Sequence, residues 1–503
     1  MELIMQSKPV SWLRCVLQEV HRQEETAEAI VPDREPDMET ILDAYAVPML
    51  RGKDVYHGGV TLTGEIRGGI LYLPAGDTCP RNLDYMLPFS VKLEAPEVTE
   101  GSRVICELKV PAVDGKIINS RKALLRAGLS CAVTAYEPDE QLLYSMTDQP
   151  ESLQVKQNVY DMRLPLGTGE KSFLISDSIE LPTGSPPVEQ LYRVICRLEL
   201  TDKKLVGTRA VFRGNAVCRL LYRAEDRPMC VQEFVLPFSQ YCELSEDYDG
   251  EEELCVTMAL TGCELEPEGQ PETGRFYLNL QALAQCTIFG RRQLMVLEDA
   301  YSTTGTLNPV WHEFTAEALL DSLEQRQTVR QALNTELYQV LDTELYFDHP
   351  QLTRSDDAAV LTYPVSIHVL GYTRDGIPCG AMGRGSGTWS LPMSKEAACT
   401  GWASPVGLPY CVPSSEGLDF RVELSLHACC TGQQTVRTIC GGALEENGVR
   451  QKRPSVIIRR IRRGTPLWDI AKDAGADQTA LRQVNGLEGE LVPEDRVLLI
   501  PVG

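Results

Sequence analysis

The sequence predicts a mainly β protein: three tandem β-rich, sandwich-like domains followed by a small β-α-α-β domain. Three observations predict it. Residues about 150 positions apart repeat, so that Pro32 returns as Pro182, Pro36 as Pro186, Ile41 as Leu191, Gly64 as Gly214 and Leu71-Tyr72 as Leu221-Tyr222, with a third copy at Leu370-Gly371-Tyr372. A second marker follows each tyrosine, as Leu87-Pro88-Phe89, Leu236-Pro237-Phe238 and Leu391-Pro392-Met393. Between turn residues the chain alternates apolar and polar with period two, the signature of antiparallel strands with one buried face. A period this long marks duplicated whole domains rather than stacked solenoid units. The expected divisions are 1–150, 151–305 and 306–444, then a linker at 445–454 and a last domain at 455–503.

Taken in order, the first domain opens with an expected amphipathic helix over 12–27, where Trp12, Leu13, Val16, Leu17 and Val20 recur at helical spacing. A second helical patch is read after Pro36 through Met38, Ile41 and Leu42, followed by strands at 60–62, 70–72, 87–91, 103–110 and 127–136. The second domain repeats the plan with strands at 210–212, 216–222, 230–236, 253–260 and 276–283. A leading helix is expected for the third domain over 314–333, from Ala318, Leu319, Leu320, Leu323, Val329 and Leu333. That copy is the most divergent, with Pro364 in the place of Gly64 and Gly214 and a closing strand shortened to 435–440.

Composition excludes several function classes. With 48 Lys plus Arg against 71 Asp plus Glu the formal net charge is -23, a field that repels nucleic-acid phosphate and anionic membranes. A basic or neutral protein partner fits better. No segment reaches the roughly 18 apolar residues of a membrane span, and the start of the chain lacks a secretory pattern, so a cytosolic protein is expected. Seventeen cysteines without a Cys-x-x-Cys pair read as small buried apolar residues in a reducing compartment. Gly167-Thr168-Gly169-Glu170-Lys171-Ser172 places a carboxylate where a phosphate loop needs glycine, and Gly383 to Gly387 lacks the spacing of a nucleophile elbow. No catalytic residue, metal ligand or cofactor is read from the sequence, and a non-enzymatic protein is expected.

The last fifty residues read as a strand from Val456, a turn at Gly464-Thr465-Pro466 with Thr465 as N-cap, a helix from Leu467, a second helix starting at Asp477 or Thr479 and ending at Asn485-Gly486, and a strand to Pro501. Gly464, Leu467, Trp468, Ile470-Ala471, Leu481, Asn485, Leu487, Leu498 and Ile500-Pro501 resemble the LysM motif at matching spacing. The resemblance implies a glycan groove between Gly464, Thr465, Pro466 and Leu467 on one side and Asn485, Gly486, Leu487, Glu488 and Gly489 on the other. Thr465-Pro466 and Glu494-Asp495 depart from that motif, removing a carboxylate and a backbone donor on one rim and adding charge to the other. Arg450, Lys452, Arg453, Arg459, Arg460, Arg462 and Arg463 crowd the start of this domain. They read either as a charged strand edge that discourages mispairing or as a contact for an acidic partner, with Arg459, Arg460, Arg462 and Arg463 as the candidates.

The Pro-x-x-x-Pro start, the Gly-x(7)-Tyr strand and the Leu-Pro-Phe strand of the repeats resemble the SPOCS domain of clostridial spore envelope proteins. SPOCS repeats with one C-terminal LysM is the arrangement of SipL-like spore morphogenetic proteins. The resemblance implies a scaffold of the endospore envelope, in the mother-cell cytoplasm at the forespore surface, with a spore morphogenetic ATPase and coat proteins as partners. Peptidoglycan binding through the LysM groove is the alternative it leaves open.

Overall fold

The structure, a computed structural model, describes residues 1–225, 227–270, 273–354, 358–391, 397–414, 417–446 and 455–502. Its strands form three units, each with two antiparallel sheets. In the first, β1 (Met5–Ile30) pairs with β7 (Lys122–Met146), which also carries β5 (Arg103–Lys109) and β6 (Val113–Asn119). The facing sheet is β2 (Met38–Tyr56), β3 (Gly59–Pro74) and β4 (Arg81–Glu94). The second unit sets β8 (Leu153–Glu180), β12 (Arg275–Ser302) and β11 (Glu253–Pro267) against β9 (Gln190–Ala224) and β10 (Arg227–Tyr248). In the third, β13 (Gly305–Leu333) pairs with β20 (Gly417–Glu446), which carries β18 (Ala398–Pro405) and β19 (Tyr410–Ser414). Its other sheet is β14 (Leu337–Phe347), β15 (Gln351–Arg354), β16 (Ala359–Thr373) and β17 (Pro378–Leu391). Each unit is closed by its own first and last long strands, β1 with β7, β8 with β12 and β13 with β20.

Period-two burial makes the cores. In the first unit the even positions Val60, Leu62, Ile66 and Ile70 of β3 meet the odd positions Ala123, Leu125, Ala127, Leu129 and Cys131 of β7, all buried in one cluster. The sequence markers join here as a cross-strand contact. Gly64 pairs with Phe89 and Gly214 with Phe238. A Cβ on Gly64 would stand 2.4 Å from Phe89 Cζ and 2.2 Å from Met49 O, and on Gly214 2.5 Å from Phe238 Cζ and 2.3 Å from Glu199 O. Glycine is required so that the ring and the neighbouring backbone can both approach. In the third unit Pro364 faces Ser386 and Leu391 faces Ala359, so the third marker does not stand in register with the first two; its Pro392 and Met393 lie outside the described residues. The closing strand β20 is a full-length strand and not the short one expected.

The three expected helices are strands, for a shared reason. Both 12–27 and 314–333 lie in long strands interrupted by a bulge, one extra residue that shifts every later side chain to the opposite face. On β1, Cys15 pairs with Tyr136 and Leu17 with Ala135, leaving Val16 as the extra residue. On β13, Leu319 pairs with Thr431 and Asp321 with Cys430, leaving Leu320. Phe314, Ala316 and Ala318 are buried before that bulge and Val329 and Leu333 after it, so even positions give way to odd ones and the run imitates helical spacing. β8 has the same device at Leu166, between Pro165 opposite Phe289 and Gly167 opposite Ile288. The patch after Pro36 contains two register shifts, between Met38 and Thr40 and between Ile41 and Asp43.

The units meet around a buried ion network. Arg193 on β9 binds Asp43 of β2 and, at 2.6 Å, Asp342 of β14. These residues lie 150 and 149 positions from Arg193, so they hold corresponding places in the three units. His368 Nδ1 lies 2.7 Å from Asp43 Oδ1, Arg219 donates to Asp342 at 3.0 Å, and Arg197 pairs with Glu344. Burial alone would push the Asp43 carboxyl up, but the adjacent Arg193 and His368 hold it below the usual carboxylate range. Leu42, Leu71, Tyr192, Leu221, Met229 and Leu370 form a buried apolar cluster drawn from all three units. A further contact closes the arrangement, because Leu3 N donates to Gly442 O at 2.9 Å and Glu2 bridges Ala443.

A second polar contact comes from the third unit, where His349 follows β14 and enters the first. Its Nδ1 lies 2.9 Å from Ser130 Oγ and its Nε2 3.1 Å from Glu107 Oε2, while Arg22 donates to the adjacent Asp348 at 2.9 Å. Burial pushes the imidazole below its ordinary value, with Lys109 acting in the same direction and Glu107 and Asp348 opposing it.

The buried ion network and the His349 contact can each be tested by substitution. Arg193→Met leaves Asp43 and Asp342 buried without their shared cation and is expected to cost about 3–5 kcal/mol of stability. Arg14→Met, which removes an ion pair to the exposed Glu97, is expected to cost under about 1 kcal/mol when both variants are compared by urea titration. For His349 the folded value lies below the unfolded value of about 6.5, so the unfolded chain takes up the proton first and stability falls as pH drops below about 6.5. His349→Gln is expected to flatten the change in unfolding midpoint between about pH 7.5 and 5.5, and an unchanged slope would show that His349 does not drive it.

Candidate interaction site

The C-terminal module runs β21 (Val456–Ile461), α1 (Leu467–Ala474), α2 (Gln478–Asn485) and β22 (Arg496–Pro501), with the two strands paired. Leu467, Ile470, Ala471, Leu481, Leu498 and Ile500 form its interior. Asp477 caps α2 by accepting from Ala480 N at 2.7 Å. For α1 the N-cap is Pro466, without a side-chain bond, and Thr465 Oγ1 instead donates to Arg462 O at 3.0 Å. Gly475 and Gly486 end the helices in the left-handed conformation at φ 61° and 60°, where glycine carries no Cβ penalty.

The residues assigned to a groove divide into interior and surface. Leu467 and Leu487 are buried. Asn485 is used within the module, since its Nδ2 donates to Leu481 O at 2.8 Å and Leu499 O at 2.6 Å and its Oδ1 accepts from Leu499 N at 2.8 Å. Pro466, Gly464, Gly486, Glu488 and Gly489 are exposed and Thr465 is half-buried. The first loop is bonded to residues 490–492, through Gly464 N to Val492 O at 2.8 Å, Val492 N to Thr465 O at 3.0 Å and Leu467 N to Glu490 O at 2.8 Å. The structure therefore joins 464–467 to a neighbouring stretch of loop rather than to 485–489 by backbone bonds among the described residues.

The four candidate arginines lie on β21 and the turn after it, all exposed. Arg459 pairs with Asp473 of α1, while Arg460, Arg462 and Arg463 make no ion pair among the described residues. Arg460 stands opposite Val497 and Ile458 opposite Leu499. Ile458 and Val497 are 67 % and 56 % exposed, so the outer face of this small sheet is apolar with positive charge at its end. Arg450, Lys452 and Arg453, with most of the expected linker, lie outside the described residues.

A contact that the sequence does not announce fixes the inner face of the module to the second unit. Trp468 Nε1 donates to Asp299 Oδ2 at 2.8 Å, Lys472 Nζ reaches the same carboxylate at 2.6 Å, and the Trp468 ring packs edge-on to Tyr301 at 4.9 Å. Tyr301 OH donates to Ala476 O at 2.8 Å, and Gln154 donates to Asp477 at 2.8 Å. Elsewhere, residues 167–172 lie in β8 and residues 383–387 in β17, so neither glycine-rich stretch opens a helix. Among the described residues no group of three or more His, Cys, Asp or Glu is placed to hold a metal, and no helix is long and apolar enough to cross a membrane.

Two variants separate these contacts. Asn485→Ala removes bonds between α2 and β22 and is expected to destabilise the module by about 2 kcal/mol, at roughly 1 kcal/mol per bond. Hydrogen exchange should then accelerate at Leu499 while the amides of β3 and β7 keep their protection. Asp299→Ala is expected to leave the interior intact and release the module, seen as a larger radius of gyration in solution scattering.

A protein-family model described as SipL, SPOCS domain matches residues 37–118, a stretch that takes in β2, β3, β4 and β5 and nearly all of β6. No curated protein and no solved structure matches the chain. The stretch whose Asp43 and Gly64 organise the first unit is thus similar to the SPOCS domain of SipL, which supports a sporulation-related role.

Proposed function

We propose that the protein is a non-enzymatic scaffold of endospore envelope and coat assembly, acting on the mother-cell side at the forespore surface. It links the morphogenetic ATPase of that surface to coat proteins. The SPOCS match at residues 37–118 carries this reading. The second and third units are proposed to be divergent copies of the matched domain, and the C-terminal module a LysM domain turned to protein binding. Support comes from how the parts are joined. Three units locked around Arg193 make a firm body, and a module held at Asp299 by its inner face leaves its outer sheet and arginines open to a partner. An acidic surface on the ATPase would meet Arg460, Arg462 and Arg463, while Ile458 and Val497 would supply apolar contact.

Peptidoglycan binding by the same module has less in its favour. Leu467 and Leu487 are buried in its interior, Asn485 is bonded to Leu481 and Leu499 within it, and Glu490 and Val492 occupy the backbone groups of the first loop.

The test uses the full chain and the ATPase, followed by interferometry across a salt series. Association is expected to slow as salt rises, because exposed charges are screened within about 10 Å at 0.1 M. The Arg460→Glu, Arg462→Glu, Arg463→Glu variant should associate at least about tenfold more slowly with unchanged thermal stability. A flat salt response, or wild-type association by the variant, would remove the arginines from the contact. In sporulating cells a fluorescent fusion should ring the forespore, and retention on insoluble peptidoglycan with no binding to the ATPase would favour the glycan reading.

A further inference from the structure

The seventeen cysteines are all unbonded, and none is fully exposed. Several nevertheless place their sulfurs close together: Cys399 with Cys430 at 3.3 Å, Cys242 with Cys286 at 3.4 Å and Cys196 with Cys263 at 3.6 Å, with the fully buried Cys218 also beside Cys196. We propose that Cys263 and Cys196 form an oxidation site for hydroperoxides, which converts the two thiols to a disulfide joining the two sheets of the second unit.

Only this pair combines a reachable thiol, a nearby cation and a buried partner across the two sheets. Cys263 on β11 is partly exposed, whereas Cys196 on β9 is 3 % exposed. A bulge at Thr261, between Leu260 and Gly262, precedes Cys263 and re-aims the side chains after it. Two guanidinium groups from the first unit hold this segment. Arg51 donates to Thr261 O at 2.5 Å and Arg67 to Cys263 O at 2.8 Å. The hydrogen bond between Cys263 and Cys196, together with Arg67, draws the Cys263 thiol below its ordinary value against the effect of burial. The thiols of Cys242 and Cys286 are both fully buried, and burial with Cys430 alongside pushes Cys399 far up.

In the first step the Cys263 thiolate attacks the terminal oxygen of the hydroperoxide. An S–O bond forms, the O–O bond breaks, and the departing hydroxide or alkoxide takes up a proton. Cys196 then attacks the sulfenic sulfur, the S–S bond forms, the S–O bond breaks, and water leaves with the proton of Cys196. Two thiols are oxidised and one hydroperoxide is reduced to water and water, or to an alcohol and water.

The test treats the folded full chain with hydrogen peroxide and maps disulfides by mass spectrometry without reduction. A Cys196–Cys263 bond is expected to form at least about tenfold faster than Cys242–Cys286 or Cys399–Cys430, as thiolate character and access dictate. Cys196→Ser should leave a sulfenic acid at Cys263 that dimedone labels, and Cys196→Ala serves if the serine variant does not fold. Arg67→Gln should slow oxidation several-fold at unchanged circular dichroism. Absence of the 196–263 bond, its formation no faster than the other two, or an unlabelled Cys263 in the folded Cys196 variants would overturn the proposal.

Discussion

A guanidinium buried between two carboxylates sets the terms for this protein. Arg193 comes from the second unit, Asp43 from the first and Asp342 from the third. No unit can leave without stranding charge away from water, where an unpaired ion costs several kcal/mol. Such a network contributes little net stability over a well-packed apolar equivalent, but it discriminates strongly between arrangements. The charge is balanced only when Arg193, Arg197 and Arg219 meet Asp43, Asp342 and Glu344. A second, apolar meeting place lies around Leu297, Ala300 and Ile439, with Met5, Met146, Leu307 and Trp311 against it. Fixed at both, the units behave as one body and not as beads on a string.

Much of this fold is legible in the sequence because burial in a strand follows a period of two. The stretches at 60–62, 103–110 and 276–283 sit within β3, β5 and its end, and β12. Legibility fails where the period slips. Val16, Leu166 and Leu320 are single extra residues that reverse the phase of long strands, and a reversed phase mixes spacings of two and three in the way a helix does. The pairing partner that reveals a bulge is more than a hundred residues away, so a local window cannot find it. The central network is hidden for another reason. Its three positions correspond, but one carries arginine where the other two carry aspartate, and a repeat seeks likeness where this junction depends on difference.

The C-terminal module shows the limit of motifs as guides to binding. Its β-α-α-β order follows from caps and apolar spacing, and Asp477 and Gly486 do what their residue types imply. The motif positions, however, are mostly those that the interior needs. Leu467 fills the core and Asn485 ties a helix to a strand, so their spacing reports the fold and says little about a ligand. The docking of Trp468 on Tyr301 depends on residues 167 positions apart, a relation that no short motif encodes.

The closure between the first residues and β20 has a mechanical meaning. Ala443 pairs with Asn308 of β13 on one edge and bridges Glu2 on the other, so the strand from which the C-terminal module departs is gripped from both sides. Tension applied along that strand loads the bonds on its two edges together instead of peeling them one at a time. A pull on the module is also shared with the Asp299 contact in the second unit. The ring of three units therefore distributes force rather than concentrating it at a single joint.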